Sequence, residues 1–200
     1  MELLKRNKSF ILVGVILFVI GGIAGYTVYL NNPDLANLEG SSIFSGLEQK
    51  ISFFQNLNIL GKIIFIFLNN LLVALISVFL GAILGLFPIF IALMNGFVVG
   101  IVAGKVLESN GIGYLLVGLV PHGVFEIPAI LIAIGLGLKF GYLIISTIIS
   151  ILLGKPTKDN EFKLFIRELK PAFKIILILL CIGAFVEILI TPLLITIIGG

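Results

Sequence analysis

Long apolar runs separated by short polar clusters set the pattern of this chain. Residues 9–30, 63–86, 89–104, 112–138, 140–153 and 172–198 are almost free of charge, and the polar residues collect between them. A helix needs about 20 apolar residues to cross a bilayer. The runs are continuous rather than alternating, which reads as helix and not as barrel strand. The pattern predicts an all-α polytopic membrane protein, folded as a single membrane domain over residues 1–200.

The run 9–30 follows Lys5, Arg6 and Lys8. Basic residues favour the cytoplasmic side, so the N-terminus is expected in the cytoplasm and the chain in the cell (plasma) membrane. The run is full length and no small-residue cleavage site follows it, so it reads as a retained span. Gly21-x-x-x-Gly25 suits a close helix–helix contact, although glycine is common in membrane helices anyway. Asn31-Asn32-Pro33-Asp34 ends the span. Residues 31–58 then form an acidic, external segment in which Ile43, Phe44, Leu47, Ile51 and Phe54 recur at helical spacing. That predicts an amphipathic interfacial helix, lying on the membrane or offering a binding surface. The second span, 63–86, carries Asn69 and Asn70 and a Gly81/Gly85 pair. Phe87-Pro88 breaks it from the third, 89–104, which holds Asn95-Gly96.

The run 112–138 is irregular, because Pro121-His122-Gly123 and Pro128 interrupt it. If it crossed once and 140–153 crossed again, the basic loop 154–171 would fall outside, against the charge rule. Two half-helices that meet at Pro121-His122-Gly123 and return would keep that loop inside. The expectation is therefore five full spans (9–30, 63–86, 89–104, 140–153 and 172–198) plus a re-entrant, broken-helix hairpin over 112–138. Broken helices of that kind occur where they are buried in protein or line a cavity.

The composition narrows the chemistry. The chain is 60% hydrophobic and 12% charged with a formal charge of +3, and its mean hydropathy is +1.27. The basic residues flank apolar runs, which orients a membrane protein and does not make a nucleic-acid surface. One cysteine, Cys181, permits no internal disulfide and reads as inert packing. There is one histidine and no H-E-x-x-H helix, so no metal or other cofactor is expected. Ser77, Ser146, Thr147 and Ser150 lack an elbow motif, which argues against nucleophilic catalysis.

What remains is an intramembrane polar site. His122 and Glu126 lie four residues apart and share a helix face. Glu187 sits inside the last run, one turn before Thr191-Pro192. A charge in hydrocarbon costs about 3 kcal/mol on insertion scales, so each group needs a partner or a use. The expected centre is His122, Glu126 and Glu187, supported by Asn69, Asn95 and Thr191. Pro121, Gly123 and Pro128 shape the backbone around it, and Asn70 is a further candidate partner.

These residues also carry a family resemblance. Asn69 with Gly81 and Gly85, Asn95-Gly96 with Gly100, the signature Pro121-His122-Gly123-Val124-Phe125-Glu126-Ile127-Pro128-Ala129 followed by Gly135 and Gly137, and Glu187 with Thr191-Pro192 resemble the stage II sporulation protein M (SpoIIM) family over roughly residues 60–195. The resemblance implies a multi-span membrane protein without recognised catalytic activity. The family's namesake is similar to a scaffold for cell-wall-remodelling partners during engulfment, and many members occur where no spores form. The reading is thus a non-enzymatic membrane scaffold or assembly subunit with membrane or cell-envelope partners. Two alternatives stand beside it. One is an ion, proton or solute transporter using His122, Glu126 and Glu187; the other is an intramembrane hydrolase. Besides the lipid bilayer, the glycine-rich helices suit a homo-oligomer.

Overall fold

The computed structural model describes residues 2–33 and 52–199, apart from the side chains of His122, Ile198 and Gly199. Among the described residues the elements are helical: α1 (Glu2–Asn31), α2 (Ile59–Phe79) ending in a short 3-10 turn (Leu80–Ala82), α3 (Leu86–Leu152), α4 (Asp159–Phe185), a π turn (Val186–Ile190) and α5 (Thr191–Gly199). Five helical stretches are long and apolar enough to cross a membrane. The expected amphipathic helix after the first span falls largely at 34–51, outside the described residues.

α3 is two spans. Gly111 leaves the helical region with φ 80°, a conformation open to glycine at little cost. It divides an ascending arm (86–110) from a descending arm (112–152). Packing fixes the reversal. Gly96 and Gly100 rest on the backbone of Phe18 and Gly22, while Gly135 rests on Ile11 and Gly14 on Ile134. α1 therefore runs parallel to the ascending arm and antiparallel to the descending one. Along the descending arm, Gly137 packs on Ser77 and Gly141 on Gly85, so α2 runs parallel to it. α4 returns antiparallel, with Gly183 against Glu126.

Two expectations change here. Residues 112–138 do not form a re-entrant hairpin, because the helix continues through Pro121, His122, Gly123 and Pro128. Nor is 140–153 a separate span. It extends the same helix past Lys139, since 112–139 already covers about 40 Å as helix. That is the full depth of a bilayer with its headgroups. The basic loop still falls on the N-terminal side, by a plain five-span path. The α2–α3 turn also comes earlier than Phe87-Pro88. Leu84 and Gly85 take positive φ, and Pro88 sits in the first turn of α3, where a missing amide costs nothing.

Helices lean on each other through glycine. A Cβ at Gly21 or Gly25 would overlap the backbone of Leu93 or Phe97. Such contact replaces the hydrophobic drive that lipid removes. The best-buried part of the core lies along the descending arm, where Ala129, Ala133, Ile134 and Leu136 are fully buried beside Leu180 and Ile176 of α4.

Candidate functional site

Glu126 faces inward from the descending arm because Gly183 of α4 leaves room for it. A Cβ at Gly183 would stand 2.5 Å from Glu126 Cγ. Asn70 of α2 is placed to hydrogen-bond the Glu126 carboxyl group, and Glu187 lies close enough for the two carboxyls to interact electrostatically. Glu126 Oε1 is shielded from solvent and has no hydrogen-bond partner among the described residues. Beside it lies a cavity of about 120 Å³, room for a few waters or a small ion. Glu126, Asn70 and Asn95 supply its polar wall, and Phe18, Val99, Leu119, Gly123, Ile127 and Ile130 the apolar remainder. Asn95 spends its amide on the Ile91 carbonyl, 2.9 Å away. Among the described residues no hydrogen bond to its side-chain oxygen accompanies that one.

Glu187 sits inside the π turn Val186–Ile190. Pro192 has no amide to donate and its ring crowds the carbonyl of the preceding turn. The widened turn is closed by the Thr191 amide on the Val186 carbonyl, with the buried Thr191 hydroxyl adding a contact of 3.3 Å to the same oxygen. Single π turns of this kind often mark functional positions.

The sequence-derived set is thus only partly gathered. Glu126, Asn95 and Gly123 line one cavity, and Glu187 is not among the lining residues but lies near enough to Glu126 to act on it electrostatically. Asn69 is exposed and points away, and Asn70 takes its place. Thr191 serves the π turn rather than the cavity. Pro128 is exposed on the far side of the arm, on an outer groove, and half-buried Pro121 is likewise not among the cavity-lining residues. His122 lies one turn before Glu126, but its side chain is outside the described structure. Cys181 is on the outer surface rather than packed inside. Among the described residues no group of three metal-ligating side chains gathers.

A second polar cluster escaped the sequence reading. Glu168 of α4, 2% exposed, takes Arg6 Nε on one oxygen at 2.8 Å and Lys139 Nζ on the other at 2.8 Å. The amide of fully buried Asn7 reaches the second oxygen at 3.1 Å. The cluster joins α1, the descending arm and α4 on the N-terminal side. Nearby, Lys158 donates to the Tyr142 hydroxyl at 2.7 Å, a bond that raises the lysine's pKa above its usual range. At the opposite end the Tyr29 hydroxyl bonds Glu108, tying α1 to the end of the ascending arm.

The model of the family described as stage II sporulation protein M matches residues 14–192, including Glu126, Glu187, Asn70 and Asn95. The chain belongs to that family. It is 29% identical over 195 residues to the uncharacterized protein MJ0706 of Methanocaldococcus jannaschii, covering 93% of this chain and 84% of the relative. It is 28% identical over 183 residues to the uncharacterized protein MJ0793 of the same organism, covering 91% and 93%. No solved structure matches it. Family membership and the five apolar helical stretches together make it a membrane protein of the SpoIIM family.

Proposed function

We propose that the Glu126–Glu187 centre binds a proton or small cation inside the bundle, and that the protein moves that ion, alone or with a solute, across the membrane. The observation that carries this reading is a contrast between two carboxylates, buried Glu168 with cations beside it and half-buried Glu126 with none among the described residues. Glu168 is ion-paired on both oxygens, to Arg6 on Oε1 and to Lys139 on Oε2, with the Asn7 amide on Oε2 as well, although Oε1 has no hydrogen bond among the described residues. Its charge is compensated, as that of a carboxylate that only holds helices together is expected to be. Glu126 borders a cavity with one shielded oxygen left over, beside a second carboxyl group rather than a cation. Intramembrane carboxylates of that kind mark ion and proton paths. A carboxylate and two amide side chains give oxygen acceptors for a cation, and a proton on either glutamate removes the repulsion between them.

The scaffold reading has its own support. Past the Lys139 layer, Ile148, Ile151 and Leu152 are exposed on a helical extension that reaches beyond the span. An apolar handle there suits a partner protein.

Ion flux in liposomes separates the two. Wild type is expected to dissipate a proton or sodium gradient, and Glu126→Gln to lose that flux while melting within a few degrees of wild type. If neither protein conducts and Glu126→Gln melts much lower, the centre is structural and the scaffold reading takes its place.

A further inference from the structure

On the outer side of α1, away from the carboxylate centre, a groove of about 420 Å³ runs between α1 and the descending arm. Leu4, Ile11, Leu12 and Val15 form one wall; Pro128 and Leu131 contribute to the other. From residue 4 to residue 15 it follows α1 for about 16 Å. Its lining is apolar except at one place, where Lys8 enters it.

The charges around that end are unbalanced. Lys5 and Lys8 are exposed and take part in none of the hydrogen bonds or ion pairs found among the described residues. Arg6 and Lys139 share the single carboxylate of Glu168, which leaves that cluster with a surplus positive charge. Glu2, one turn before Arg6, offsets only part of the excess. Lys8 thus stands at the level where helices meet headgroups, one turn from the ion cluster, with an apolar trough running from it toward the membrane centre. Basic pockets between membrane helices on this face bind anionic lipid heads.

We infer that this groove is a binding site for an anionic phospholipid, its phosphate on Lys8 with help from Lys5, and one hydrocarbon tail laid along Leu12 and Val15 against Pro128. Pro128 suits the wall because its ring presents a smooth apolar surface with no amide to satisfy. The site does not depend on the ion-binding reading.

The chain has no tryptophan, so a single introduced tryptophan reports one place only. Leu12→Trp puts the probe in the groove, at a side chain 58% exposed; Leu68→Trp puts a control on the outer face of α2, 52% exposed. Each is reconstituted with brominated phosphatidylglycerol or brominated phosphatidylcholine, and quenching gives the relative affinity of the two lipids at that position. At Leu12→Trp the anionic lipid is expected to bind about fivefold more tightly, the worth of one lysine near a charged surface, with little preference at Leu68→Trp. Adding Lys8→Gln to Leu12→Trp is expected to remove the preference. Equal affinities at both positions, or a preference that survives Lys8→Gln, would overturn the assignment. A preference that disappears at high salt in both probes would reduce it to general surface charge.

Discussion

At the scale of the residue, the chemistry turns on how much space one side chain is given. Gly183 is small so that Glu126 can be where it is. Gly183→Ala would bring a methyl to 2.5 Å from Glu126 Cγ, and the flexible carboxylate would swing aside rather than the helices part. The variant is expected to melt close to wild type but to lose flux, by up to about a hundredfold for a displacement near 1 Å. Equal flux in liposomes would separate Glu126 placement from function. Glu126 and Glu187 were legible in the sequence because a carboxylate inside an apolar run has no bland neighbourhood to hide in. Asn69 and Asn70 were not distinguishable, since adjacent residues differ by about 100° around a helix and only the packing says which faces in. Glu168 was hidden for the opposite reason, standing among the charges of a polar stretch. Its trace was Lys139, a lone cation in a long apolar run that needed a carboxylate from somewhere.

At the scale of the element, proline proved a poor guide to where a membrane helix ends. Pro121 and Pro128 each remove one amide, yet the helix passes through both. Neighbouring helices hold such a helix together when a bond is missing. The turn falls instead at Gly111, which looks unremarkable in a polar loop. At the start of α5, Pro192 has a larger effect, taken up by the π turn Val186–Ile190 just before it. The glycine pairs were better signals, and the close contact expected of Gly21 and Gly25 is present. Gly96 meets the backbone carbonyl of Phe18, and a backbone cannot step aside as a side chain can. Gly96→Ala is therefore expected to push α1 from the ascending arm and cost about 1–3 kcal/mol, the usual range for overpacking. A melting curve in detergent checks it, and an unchanged midpoint would mean the seam is looser than described.

At the scale of the whole molecule, five helical stretches place Glu2 and the 154–158 loop on one side and Ser109 on the other. The membrane class was plain from the apolar runs. The path was not, because a helix about twice the thickness of the hydrocarbon core reads in sequence as two spans. Single cysteines test the path in a Cys181→Ser background. With a membrane-impermeant reagent, Glu2→Cys and Pro156→Cys are expected to react from the same side, and Ser109→Cys only from the other. Reaction of Ser109→Cys and Pro156→Cys from one side would restore the re-entrant path.

The contact between Asn7 and Glu168 joins residues 161 apart in sequence. During synthesis, the first helix and Lys139 are both made before the carboxylate that neutralises them exists. A nascent chain stopped at Leu152 carries Lys139 at the membrane edge with nothing to meet it, and Arg6 beside it. Only when the first turns of α4 have been made does Glu168 arrive to join three helices. The cluster therefore acts as a record of completion: a truncated or misinserted product leaves bare cations at the membrane boundary on the N-terminal side, with no carboxylate to neutralise them.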